Sequence, residues 1–163
     1  MRHRFPGFTL IETLIYTGFV GMILTSTILL VFATFTIRSK LRASVILEQN
    51  VRFAGLRIGS LVTEATGITT PSLGNTGNTL VLTTSVPATN PTTITNTGGV
   101  ITVTQGLGAA QAITSNEVSF STLSFARVSS TSAIVRMVMT ASPSGSPASY
   151  SALTVTTTVS TSR

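Results

Sequence analysis

The sequence predicts an α+β chain in which one long N-terminal helix packs on an antiparallel β-sheet. Three observations carry that expectation. Residues 8–37 form an apolar run with a single charge, Glu12. Residues 38–66 repeat apolar side chains at spacings of three and four, the period of one helix face. From Gly67 onward the texture changes to Thr, Ser, Gly, Asn and Pro, with short runs that alternate apolar and polar residues.

The apolar run precedes the other elements in the chain. Its thirty residues would extend about 45 Å as a helix, more than the roughly 30 Å needed to cross the hydrocarbon core of a bilayer. Gly18 and Gly21 weaken a helix in water but are tolerated in lipid, where small residues also let helices approach closely. The run reads as a transmembrane helix, with the lipid bilayer as its first partner. Arg2 and Arg4 precede it, and Arg38, Lys40 and Arg42 follow it. Charge at both ends leaves its orientation open by the positive-inside rule.

Leu41, Val45, Glu48, Val51, Ala54, Ile58, Leu61 and Ala65 continue the helical period, and no proline interrupts the chain before Pro71. The helix is therefore expected to run to about Thr66, with an apolar stripe that a domain covers. The expected packing row is Leu41, Val45, Val51, Ala54, Ile58 and Leu61, against Val118, Phe120, Ile134 and Val138 on strands. Gly55 and Gly59, four apart, either admit a close neighbour or are incidental. Strands are expected near residues 79–85, 92–96, 100–105, 118–128, 133–141 and 150–160, in a sheet of four to six strands. Thr97-Gly98-Gly99 reads as the turn of a hairpin, and Pro143, Gly145 and Pro147 as a loop before the last strand. Thr131-Ser132 sits between the strands expected at 118–128 and 133–141.

Composition bounds what this architecture can do. The chain has 163 residues, room for one modest domain and an anchoring element. Only 9% of residues are charged, there is no Asp, and the acids are Glu12, Glu48, Glu64 and Glu117. The absence of Cys excludes disulfides and thiol chemistry. A net charge of +6 invites a nucleic-acid reading. Its distribution argues against one, because the cations cluster beside the apolar run, where they meet lipid headgroups.

The segment Gly7-Phe8-Thr9-Leu10-Ile11-Glu12 resembles the processing site of type IV prepilins and type II secretion pseudopilins, with all six positions matching. The short basic leader, apolar helix and amphipathic extension also occur in that family's order. The resemblance is specific over residues 1–37 and looser over 38–66. It implies a pilin-like fold and four segments: a leader (1–7), a membrane and assembly helix (8–37), its amphipathic extension (38–66) and a Thr/Ser-rich β domain (67–163). It implies that a prepilin peptidase cuts after Gly7 on the cytoplasmic side and N-methylates Phe8. The single-pass chain then lies in the inner membrane with its β domain outside. Its implied partners are other pilin or pseudopilin subunits and an inner-membrane assembly platform. The order of a long helix and then Ser/Thr-rich strands resembles the minor subunits more than the shaft-forming ones. Pilus, secretion pseudopilus and DNA-uptake machine all remain open.

Glu12 supports this reading on physical grounds. A carboxylate inside a membrane segment costs several kcal/mol unless it is paired or protonated, so such residues are functional candidates by default. Cleavage before Phe8 creates an ammonium four residues away. The resemblance implies that Glu12 of one subunit neutralises Phe8 of the next; the bland alternative is a glutamate snorkelling to the headgroups.

The residue inventory argues against an enzyme. The single histidine, His3, lies in the leader, and without Cys, Asp or His the processed chain cannot build a hydrolytic triad or a zinc site of usual ligands. A calcium site of the kind found in the major pseudopilin needs several carboxylates in its loops, and Glu117 is the only acid beyond residue 66. No cofactor or metal site is expected. Two function classes stand: a filament subunit acting through Phe8, Glu12 and the apolar helix, or a monomeric membrane-anchored module whose sheet binds a surface, glycan or DNA. A processing motif favours the first, because a simple anchor needs no peptidase site.

Overall fold

The structure is a computed structural model that describes residues 9–128, 134–145 and 152–161. The leader, Gly7, Phe8, the Thr131-Ser132 turn, Pro147 and the expected strand starts at Ala133 and Tyr150 lie outside the described residues. One helix, α1 (Leu10–Glu64), precedes antiparallel sheets, so the chain is α+β as its sequence predicts. By its internal contacts the chain divides into two compact units, Met1–Leu41 and Arg42–Arg163.

In the first unit α1 starts after Thr9, whose carbonyl accepts the amides of Glu12 (3.1 Å) and Thr13 (3.2 Å). No proline follows until Pro71, so nothing in the sequence breaks the ladder of hydrogen bonds. In the second unit the helix closes at Glu64 with a tightened last turn, Ala65 N–H donating to the Val62 carbonyl at 3.2 Å. Thr66 leaves it through its amide and hydroxyl, both donated to the Thr83 carbonyl (2.8 and 3.0 Å).

Nine strands follow in the described residues. β1 (Gly67–Thr70), β3 (Leu80–Thr83), β4 (Thr92–Thr97), β5 (Val100–Gln105) and β6 (Gln111–Ala112) form one sheet in the order β1-β3-β4-β5-β6. β2 (Thr76–Gly77), β7 (Val118–Arg127), β8 (Ile134–Pro143) and β9 (Leu153–Ser160) form the other, in the order β2-β7-β8-β9. The expectation of one sheet is thus replaced by two. The short strands β1, β2 and β6 escaped sequence reading because two to four residues cannot show a period.

The β4–β5 hairpin is present as expected, Thr97 facing Val100 across Gly98 and Gly99. Both glycines have positive φ (61° and 85°), which the tight turn requires. A side chain at Gly99 would also put its Cβ 2.6 Å from the Ser119 hydroxyl. The two sheets meet at this point, through Phe120 N–H to the Gly99 carbonyl (2.8 Å) and the Asn96 side-chain amide to the Phe120 carbonyl (2.7 Å).

The core lies between residues 47–65 and the inner faces of both sheets. Leu47, Val51, Ala54, Ile58, Leu61 and Val62 are the buried residues of α1. They meet Leu82, Ile94 and Ile101 of one sheet and Phe120, Phe125 and Met137 of the other in one hydrophobic cluster. A β-bulge between Phe120 and Thr122 inserts one residue in β7, and so Val118 and Phe120 and then Leu123 and Phe125 all face inward.

Two parts of the expected packing are corrected. Leu41 and Val45 are 62% and 52% exposed, and Leu47 and Val62 stand in the buried row instead. Val45 lies two residues, about 200° around the helix, from Leu47 and so cannot share its face. On β8 the buried residues are Val135, Met137, Met139 and Ala141, while Ile134 and Val138 are half-buried on the opposite face. Val118 and Phe120 are buried as expected.

Candidate functional site

The described part of the candidate site is the N-terminal stretch of α1. Every residue from Thr9 through Leu41 is exposed, including Leu14, Phe19, Ile23, Leu29, Phe32 and Phe35. This helix contains a stretch long and apolar enough to cross a membrane, none of it buried within the chain. So large an exposed apolar surface calls for lipid or other helices around it.

Its hydroxyl groups are arranged for that medium. Thr13, Thr17, Thr25, Ser26, Thr27, Thr34, Thr36 and Ser39 each donate to the carbonyl three or four residues back, at 2.7–3.0 Å. These are all the Ser and Thr residues between Leu10 and Lys40. A polar group left unpaired in hydrocarbon costs several kcal/mol, and back-bonding to the helix avoids that cost.

Glu12 is then the one Asp, Glu, His, Lys or Arg between Leu10 and Ile37. It stands in the first turn of α1, where the positive end of the helix dipole favours a carboxylate. Tyr16 follows one turn later on the same face. Gly7 and Phe8, the other expected site residues, lie outside the described residues, so no geometry joins them to Glu12. Gly18 and Gly21 have open space where a Cβ would stand. Nothing in the fold of this segment requires glycine there.

The remaining acids are dispersed. Glu48 and Glu64 lie on α1, the latter accepting the Ser60 hydroxyl at 2.7 Å, and Glu117 precedes β7. The described residues contain no cluster of three His, Cys, Asp or Glu. One feature that sequence reading missed is a groove of about 880 Å³ in the second unit, between α1 and strands β8 and β9. Gly55 and Gly59 line it, and a Cβ at each would stand 3.7 Å from Met139 Cε and 3.8 Å from Val159 Cγ2. The sheet does come close to both glycines, at ordinary contact distance. Their four-residue spacing was the available signal, but it does not say which element approaches.

The fold and site define an α+β chain with a candidate membrane-spanning N-terminal helix. Comparison with family models, with curated proteins and with solved structures found no match for this chain.

Proposed function

We propose that this chain is a structural subunit, of the minor kind, of a type IV pilus or a type II secretion pseudopilus. The observation that carries the reading is Gly7-Phe8-Thr9-Leu10-Ile11-Glu12, six matching positions at the head of an exposed apolar helix with a single carboxylate. A prepilin peptidase removes residues 1–7 at the cytoplasmic face of the inner membrane and methylates the new amine of Phe8. The processed chain waits in the membrane as a single-pass protein with its β domain outside. Assembly then moves the helix from lipid into a bundle of like helices.

Each step has a physical reason. Cleavage places a cation at the start of the helix, and Glu12 supplies the counter-charge from a neighbouring subunit. An unpaired carboxylate in hydrocarbon is costly, so the pair forms only when subunits stand in the correct axial register. The back-bonded hydroxyls leave the helix surface nearly apolar, suited to both lipid and helix neighbours. Mass spectrometry of filaments sheared from the cells that make this chain tests the reading. It should find the chain beside more abundant subunits. Its absence from sheared filaments, with normal amounts in the membrane, would contradict a filament role.

A further inference from the structure

Among the described residues four strands form the edges of the two sheets, and three of them are blunted. β2 and β6 have two residues each, and β1 has four, with a register irregularity between Ile68 and Thr70 and Pro71 directly after it. β9 is different. It pairs with β8 over eight residues in unbroken register, from Ala141 facing Leu153 to Ile134 facing Ser160. Its sequence, Leu153–Ser160, holds no charge, no proline and no glycine. Natural edge strands are usually protected by charge, proline, a bulge or shortness, because their free N–H and C=O groups recruit further strands. β9 has none of these protections.

The groove lies beside that edge. Val51, Gly55 and Gly59 of α1 form one wall, and Met139, Val155 and Val159 of the sheet form the other. Leu153, Val155, Thr157 and Val159 turn toward the helix, while Thr154, Thr156, Thr158 and Ser160 are exposed on the opposite face. We propose that β9 and this groove together receive one extended strand of a partner chain. Hydrogen bonds to the free edge of β9 extend the sheet, and every second side chain of the added strand drops into the groove.

The chemistry of the partner follows from the walls. An extended segment, not a helix, satisfies a strand edge, since only a strand presents N–H and C=O groups in line. The inward side chains are apolar, because the groove walls are. The strand is uncharged, because Glu48 and Arg52 offset each other at the groove and β9 contributes no charge. Its outward residues are hydroxyl or other small polar groups, continuing the Thr face. A second copy pairing through its own β9 is the competing occupant, and crosslinking between copies tests it.

The test uses the full chain in detergent micelles and a fluorescent peptide copying Leu153–Ser160, an uncharged strand of the required alternation. The control peptide has the same composition with its apolar residues made contiguous. The copying peptide should bind at least tenfold more tightly than the control and should slow amide hydrogen exchange in β9. Gly55→Leu, which fills the groove, should weaken binding about tenfold, whereas Gly55→Ala should keep it. Unchanged exchange at β7 and β8 checks that each variant is folded. Equal binding of the two peptides, or β9 exchange that stays the same or quickens, overturns the proposal. So does a disulfide-linked dimer of Thr156→Cys in this cysteine-free chain, which would assign the edge to a second copy. None of these readouts depends on processing at Gly7 or on filament assembly.

Discussion

Ile58→Ala tests where the helix meets its sheets. Ile58 is 1% exposed and sits in the middle of the buried row of α1. The substitution removes three carbons, about 2.4 kcal/mol at 0.8 kcal/mol per buried CH₂. The cavity left behind adds to this, and buried Ile→Ala changes usually cost about 2–5 kcal/mol in all. A loss of roughly 3–4 kcal/mol lowers the melting temperature of a domain of about 120 residues by roughly 10–15 °C. Alanine is the best helix former, so the loss reads packing and not helix propensity. Val45→Ala is the paired control, at 52% exposure and off the core face, and should change stability by about 0.5 kcal/mol or less. Both are measured by thermal unfolding of the β-sheet circular dichroism signal, with the full chain in micelles. Equal melting of the two variants would refute the packing face described for residues 47–65.

Further outcomes follow from the turn and the membrane segment. Gly99→Ala should destabilise the β domain by about 1–3 kcal/mol, because φ is +85° and the new Cβ meets Ser119. Gly98→Ala, with φ +61° and open space around it, should cost about 1 kcal/mol in the same melt. Glu12→Val should leave the β domain melting as the parent does and the leader still removed. On the proposed pairing with the Phe8 ammonium of a neighbouring subunit, this substitution would leave that ammonium unpaired at a cost of about 3–5 kcal/mol, so the chain should accumulate in the membrane and be scarce in sheared filaments. Equal recovery of Glu12→Val and parent in filaments would reduce Glu12 to an interfacial residue.

The helix was readable from sequence because its cues agree over many residues. Val51, Ala54, Ile58, Leu61 and Ala65 repeat at spacings of three and four with no proline among them, and all five are buried. The β4–β5 hairpin was readable for a similar reason, since Gly98-Gly99 supplies the two positive φ values its turn requires. The phase of β8 was not. Ile134-Val135-Arg136-Met137-Val138-Met139 is apolar on both faces, so alternation cannot choose between them, and a slip of one residue exchanges every inward side chain. Pairing between distant strands decided the question, and with it the division into two sheets. The candidate site divides the same way. The chemistry of Glu12 follows from its charge in an apolar helix, whereas the edge of β9 exists only once the strand order is known.

Processing and assembly are read together from the N-terminus of this chain in the membrane and in sheared filaments, by peptide mass spectrometry. N-methylated Phe8 should be the first residue in both, with Gly7→Val retaining Met1 and remaining in the membrane. Parent chain found in filaments with residues 1–7 still attached would contradict that processing.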